Sequence, residues 1–207
     1  SIIHKRSQDL KPSKDMGQLA DVLIAEIVDT GLLGENIIAA TSDARRLLCK
    51  ADVTIIPGGA AAYAGSIKSE EITRERSVDA ANGFDISLFN NLRPNMYLQT
   101  DLSKFQWQML CDPTRVFEFD FFQDIPTAAE GSFRLTPHSD GIAHGMAFLF
   151  GLRLSPEVTL STSPGSPRTH WHQAVYILPE PMEIKQNESV RPFASHDHSK
   201  ISLSLKG

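Results

Sequence analysis

The sequence predicts an α+β chain in which a short α/β part is followed by a β-barrel. Three observations predict it. Two apolar runs, Val22 to Ala25 and Val53 to Ile56, flank a stretch of helical periodicity from Asn36 to Lys50. From Ala60 onwards the periodicity becomes that of short strands punctuated by Pro and Gly. Between the first of these strands and the rest, Ser69 to Gln108 breaks the pattern with a polar insert that carries Gly83, Pro94 and an apolar patch of Phe84, Ile86, Leu88 and Phe89.

In order, Ser1-Ile2-Ile3-His4 reads as a strand entered midway, and Ile2 to Lys5 suits a strand. Arg6-Ser7-Gln8-Asp9 and Lys11 to Gln18 read as polar loops. Val22 to Ala25 is the run expected of a strand buried on both faces. Ile37, Ile38, Leu47 and Leu48 recur at helical intervals, with Arg45-Arg46 outside. Pro57 closes the α/β part, so 1–57 and 58–207 are expected as two units, with an insert at about 69–108. Gly58-Gly59 suits a turn. Ala62 to Ile67 opens the barrel, and Val116 to Phe121 alternates clearly. Ser132 to Thr136, Gly141 to Leu154, Val158 to Ser161, Gln173 to Leu178, Met182 to Lys185, Val190 to Ser195 and Ile201 to Leu205 are the further strands expected.

Composition narrows the function classes. A length of 207 residues allows one large or two small domains, and 41% apolar residues suffice for a core. A net charge of -5 argues against a nucleic-acid surface and suits basic substrate segments. The 2 cysteines, Cys49 and Cys111, are too few for a disulfide framework and point to a reducing compartment. No apolar run reaches membrane length.

The chemistry concentrates at Glu26, which ends the first buried run, and at Glu35, beyond a loop holding Gly31 and Gly34. Ligands of open α/β sheets bind outside the carboxyl ends of strands, where two carboxylates make a clamp for a cation. The alternative is a solvated Glu26 and a Glu35 that merely begins the helix, favoured by its dipole. His170 and His172, at i and i+2 on one face of an expected strand, and His196-Asp197-His198 invite a metal reading. No cysteine lies near either set, so solvated loop rings explain them and no metal is expected. His144 is expected as a satisfied core histidine.

Three motifs in order resemble the protein arginine methyltransferases: the paired glutamates, Gly83-Phe84-Asp85-Ile86-Ser87, and Thr169-His170-Trp171-His172-Gln173. The resemblance implies the carboxyl-terminal part of a Rossmann-like methyltransferase domain followed by a β-barrel with a helical dimerisation-arm insert. It implies S-adenosylmethionine as methyl donor and S-adenosylhomocysteine as its product, met by Ser7, Gln8 and Glu26. Its glycine-rich cofactor loop is not in this sequence, so the chain is expected to be a fragment that binds the cofactor poorly and is inactive alone. It gives Glu26 and Glu35 the substrate guanidinium and makes His170 a proton relay or a stiffening group. It places Thr169, Trp171 and Gln173 beside the substrate, although Trp171 also suits barrel packing and Gln173 a strand face. The insert would dock on a second catalytic module, as a homodimer or a tandem repeat.

Asp29-Thr30 and Leu33-Gly34-Glu35 resemble the monomethylating, type III branch, and imply monomethylarginine on histone-type protein substrates in the cytoplasm and nucleus. Gly151 departs from the family, many of whose members carry aspartate there. Two rival classes stay open: a catalytically inactive methyltransferase-like partner and a regulatory β-barrel binding module. The retained glutamates argue against the first.

Overall fold

The computed structural model describes residues 2–92 and 96–205. Ser1 and Pro94, named above, lie outside the described residues. Strand β1 (Ala20–Ile24), helix α1 (Ile37–Leu48) and strand β2 (Cys49–Ile56) form a parallel β-α-β unit, with Val22 opposite Thr54 and Ile24 opposite Ile56. Ile37, Ile38, Thr41, Ala44 and Leu48 make the buried stripe of α1, as the period of an amphipathic helix requires. Arg45 and Arg46 stand in its last turn, where the helix dipole favours cations.

Three expectations for this part are corrected. Ile2 to Lys5 is no strand; its backbone closes a local bond from the Lys5 N–H to the Ile3 carbonyl instead. Strand β1 is not buried on both faces: Val22 is 49% and Ile24 71% exposed, because β2 is its sole strand partner among the described residues. Leu47 faces solvent rather than the core.

The remaining strands are β3 (Gly59–Lys68), β4 (Ala80–Ala81), β5 (Phe84–Asp85), β6 (Leu98–Thr100), β7 (Gln108–Met109), β8 (Thr114–Asp120), β9 (Ala129–Ser132), β10 (Gly141–Arg153), β11 (Thr159–Ser161), β12 (Gln173–Ile184), β13 (Phe193–His196) and β14 (Ile201–Ser204). Three long antiparallel strands organise a seven-stranded sheet: β10 lies between β3 and β12. β6 extends this sheet from β12, β7 and β8 extend it from β3, and β11 adds to β10. β14, β13 and β9 form a separate three-stranded sheet.

Two expected strands, Gln173 to Leu178 and Met182 to Lys185, are one strand, β12. Its pairing with β10 jumps from Gly145–Ile177 to Ala143–Met182. Pro179 and Pro181 lie in the skipped stretch, where a residue without an N–H interrupts no ladder. The strand expected at Ser132 to Thr136 lies earlier: β9 ends at Ser132, and of the expected span beyond it Leu135 keeps an isolated bridge to Val190.

The strand period sorts the core. Met146, Phe148, Phe150 and Leu152 of β10 join the main core, which runs without a break from Leu32, Leu33 and Ile37 to Phe119, Phe121 and Trp171. Ala147, on the opposite face, packs with Ile67, Ile72, Leu102 and Val175 in a smaller cluster. His144 is buried, and its Nδ1 accepts the Ser69 N–H at 3.3 Å.

The insert is less helical than expected. It holds one six-residue α-helix, α2 (Glu70–Glu75), capped by Ser69, whose hydroxyl accepts the Ile72 N–H. A hairpin β4-β5 follows, turning at Asn82-Gly83 with positive φ at both residues, as a tight two-residue turn demands. A 3-10 segment, Ser87–Leu92, comes next. Phe84, Leu88, Phe89 and Leu92 are each more than 60% exposed, an apolar patch of the kind that marks an interface.

Candidate functional site

The loop between the two glutamates is built tightly. Its N–H and side-chain groups close on themselves: the Leu32 N–H donates to the Asp29 carbonyl, and the Gly34 N–H to the Asp29 carboxylate, both at 2.9 Å. Leu32 takes a left-handed φ of 72° while its side chain is fully buried. Core packing holds a backbone conformation that a leucine otherwise avoids. Gly31 lies against Tyr97 so closely that a Cβ there would stand 2.4 Å from the ring. The glutamates themselves face solvent, and Glu35 has no hydrogen bond or ion pair among the described residues.

The Trp171 loop docks directly on this one. The Trp171 indole N–H donates to the Val28 carbonyl at 2.7 Å, and the Thr30 hydroxyl donates to the Trp171 carbonyl at 2.7 Å. Both bonds are buried, where an unmade bond costs more than its net worth when made. Trp171 packs edge-on against Phe150, with ring centroids 5.6 Å apart. His170 lies over Trp171 and brings its Nε2 to 3.8 Å from the Glu26 carboxylate. His170 and His172 are not on a strand; His170 lies in a turn with Trp171, and His172 follows it at a φ of 56°. Two stretches about 140 residues apart in sequence thus meet at one place.

The other sequence candidates are placed as follows. Gln173 uses both ends of its amide internally, donating to the Thr162 carbonyl at 2.9 Å and accepting the Leu102 N–H at 3.3 Å. Thr169 lines a cavity of about 320 Å³ with Trp107, His172 and Gln173. Ser7 and Gln8 sit in a 3-10 turn packed against α1. No hydrogen bond links them to either glutamate among the described residues. Among the described residues no three His, Cys, Asp or Glu side chains gather as a metal site would require. His196 is buried edge-on between Phe117 and Phe119, and that burial pushes its pKa down.

Sequence reasoning missed Tyr97, Gln99 and Asp101. The Tyr97 hydroxyl donates to the Asp29 carboxylate, the Gln99 amide donates to the Trp171 carbonyl at 3.1 Å, and Asp101 pairs with Arg168 at 2.5 Å. They lie in the later part of the insert, in a segment without apolar periodicity, and nothing in their spacing distinguishes them.

Two exposed glutamates thus flank a loop on which the buried Trp171 docks, with His170 beside Glu26 just past the carboxyl end of β1. Comparisons with known proteins give the family. Residues 60–204 match the model of the arginine methyltransferase oligomerization subdomain, and the chain belongs to the protein arginine methyltransferase family. It is 32% identical over 190 residues to the arginine N(omega)-methyltransferase of Streptomyces achromogenes subsp. streptozoticus, covering 92% of this chain and 53% of that one. It is 27% identical to protein arginine N-methyltransferase 1.6 of Arabidopsis thaliana and 25% identical to protein arginine N-methyltransferase 7 of Oryza sativa subsp. indica, spanning 32% of each. The chain therefore covers about half the length of the bacterial relative and about a third of the plant ones. Its fold superposes with a TM-score of 0.81 on the Trypanosoma brucei PRMT1 enzyme-prozyme heterotetrameric complex with AdoHcy, at 24% identity, over 94% of this chain and 62% of that one. No helix is long and apolar enough to cross a membrane among the described residues.

Proposed function

We propose that this chain supplies the substrate-gripping part of an S-adenosylmethionine-dependent protein arginine methyltransferase of the monomethylating branch, acting on histone-type proteins in the cytoplasm and nucleus. The observation that carries this reading is the docking of the Trp171 loop on the Glu26–Glu35 loop through two buried hydrogen bonds. Residues 1–57 then belong to the carboxyl-terminal part of a Rossmann-like cofactor domain, consistent with the parallel β-α-β unit and the exposed apolar side chains of β1. Residues 58–207 form the substrate barrel.

The residues present suit the methyl donor: Glu26 is an exposed carboxylate at the carboxyl end of a parallel strand, the place where such sheets bind ligands. Glu26, with Ser7 and Gln8, is the part of this chain that would meet S-adenosylmethionine, which supplies an electrophilic methyl group when bound. The rest of the mechanism belongs to the chain's own side chains. A guanidinium is always protonated, so its charge is spread and its nitrogens are poor nucleophiles. Glu26 and Glu35 accept charge-assisted hydrogen bonds from its fork. They orient one terminal nitrogen and draw positive charge towards the bound nitrogens. His170, 3.8 Å from Glu26, is placed to steady that carboxylate or to take a proton from it. Buried Trp171 fixes the wall of the site, with Thr169 beside the substrate and Gln173 bonded at the base of the loop.

The test is product analysis by mass spectrometry after exhaustive reaction of the complete enzyme with a histone-tail peptide. Monomethylarginine alone is expected; methylated lysine, or no product from a folded, cofactor-bound enzyme, overturns the proposal. Glu35→Asp, which retracts the carboxylate by one methylene, is expected to permit some dimethylarginine at reduced rate, since one methyl of overpacking costs about 1–3 kcal/mol.

Assembly follows from the insert. Its exposed Phe84 and Leu88, inside the matched oligomerization subdomain, are proposed to dock on a second methyltransferase module. Phe84→Asp with Leu88→Asp should separate a homodimer, or loosen a tandem pair, and lower activity in parallel. Sedimentation of the double variant checks this; an unchanged profile with full activity contradicts it.

A further inference from the structure

One short segment touches both loops of the proposed site. Residues 97–102, in the later part of the insert, run through β6 and past it. At its start the Tyr97 hydroxyl donates to the Asp29 carboxylate, the same carboxylate that accepts the Gly34 N–H beside Glu35. At its middle Gln99 donates to the Trp171 carbonyl. At its end Asp101, whose side chain is only 10% exposed, pairs with Arg168 at 2.5 Å and lies 4.0 Å from His172. Tyr97 is itself fixed by an edge contact with Tyr176, ring centroids 5.9 Å apart. We propose that residues 97–102 form a strap that sets the relative position of the Glu26–Glu35 loop and the Trp171 loop, with Tyr97 and Asp101 as its positioning residues.

The chemistry supports that role. Neither Tyr97 nor Asp101 needs to touch substrate, because each has its polar atoms committed to a loop. Asp29 accepts two hydrogen bonds from fixed donors, and one of those donors is the backbone of the loop that ends in Glu35. Asp101 also accepts the Ser103 hydroxyl at 2.6 Å, so its carboxylate is held by its own segment as well as by Arg168. Hydrogen bonds from Ser103, followed by the charge of Arg168, keep that carboxyl below its ordinary pKa. It therefore stays charged, and its pairing with the loop persists, throughout the neutral range.

The proposal rests on the reading of these loops as the methyl-transfer site, and its test has a readout that does not. Amide hydrogen exchange is followed in the complete enzyme for wild type, Tyr97→Phe and Asp101→Asn. In Tyr97→Phe, exchange at Gly34 should rise and kcat should fall, each by roughly tenfold or more, with the cofactor KM unchanged. Asp29→Ala, which loses the Gly34 bond as well as the Tyr97 bond, should show both effects more strongly, and the double variant should be no worse than Asp29→Ala alone, since the Tyr97 bond is already lost there. Asp101→Asn should speed exchange across 168–173. If Tyr97→Phe does not fold, Gln99→Leu provides the same readout at the Trp171 loop. Unchanged exchange in the folded variants overturns the strap. So does a silent Tyr97→Phe beside an Asp29→Asn that only raises KM for basic peptides, which would turn Asp29 towards the substrate. If the wild type transfers no methyl group, the functional reading falls, and faster exchange at Gly34 in Tyr97→Phe still supports the strap.

Discussion

Glu26→Gln in the complete enzyme is expected to abolish methyl transfer while cofactor binding survives. The substitution keeps the shape of the side chain and removes its charge. Once substrate covers the site, the guanidinium has lost water and one of its two carboxylates together. Removing one partner of such a desolvated charge pair costs about 2–5 kcal/mol, a loss of roughly thirtyfold to a few thousandfold in rate. In the free protein the Glu26 carboxylate is open to solvent and faces His170 at 3.8 Å, so the fold has little dependence on it. The melting temperature should therefore stay within a degree or so, as for most exposed substitutions. Steady-state kinetics with a histone-tail peptide, beside a thermal melt, separates the two effects. Near-normal turnover would leave Glu26 a solvated surface residue.

Gly31→Ala is expected to damage both activity and stability. An added Cβ would stand 2.4 Å from one ring carbon of Tyr97 and 2.6 Å from another and from the hydroxyl. The ring has no free direction to move, because it is hydrogen-bonded to Asp29 and packed on Tyr176. The loop must shift instead. Overpacking of this kind costs about 1–3 kcal/mol, which lowers the Tm by about 2–4 °C per kcal/mol in a domain of this size. A displacement of about 1 Å in a reacting group costs on the order of a hundredfold in rate. Gly131→Ala is the control: nothing lies within 4 Å of a Cβ there, and its melt and activity should match wild type. Equal behaviour of the two variants would mean that the loop yields freely and that its rigidity has no part in catalysis.

Much of this was legible in the residues. The strands β3, β8 and β10 and helix α1 follow from their apolar runs: α1 buries the stripe its period predicts, β8 alternates in sequence, and β3 and β10 are buried along nearly their whole length. Glu26, Glu35 and His170 were recognisable as chemistry-bearing residues. Asp29 and Thr30 stood out only as marks of a branch, yet they are what fastens the loop: Thr30 to Trp171, Asp29 to Tyr97 and Gly34. Long-range hydrogen bonds leave no periodic trace, so neither those pairings nor the strap at 97–102 was readable. Strand β1 misled for a related reason. An apolar run predicts burial, but burial needs a covering partner, and Ile24 has none among the described residues. β12 misled because two prolines read as strand breakers, whereas the bulge opposite Ala143 and Gly145 absorbs them.

The central claim is that Glu26 and Glu35 grip a protonated guanidinium. Calorimetry tests it most directly, comparing a histone-tail peptide with its citrulline counterpart on the complete enzyme loaded with S-adenosylhomocysteine. Citrulline keeps the shape of arginine but carries no charge and one fewer donor group. The account predicts clear heat of binding for the arginine peptide, and a loss of roughly tenfold or more in affinity both for the citrulline peptide and for the arginine peptide with Glu26→Gln. Equal affinity for arginine and citrulline would contradict it.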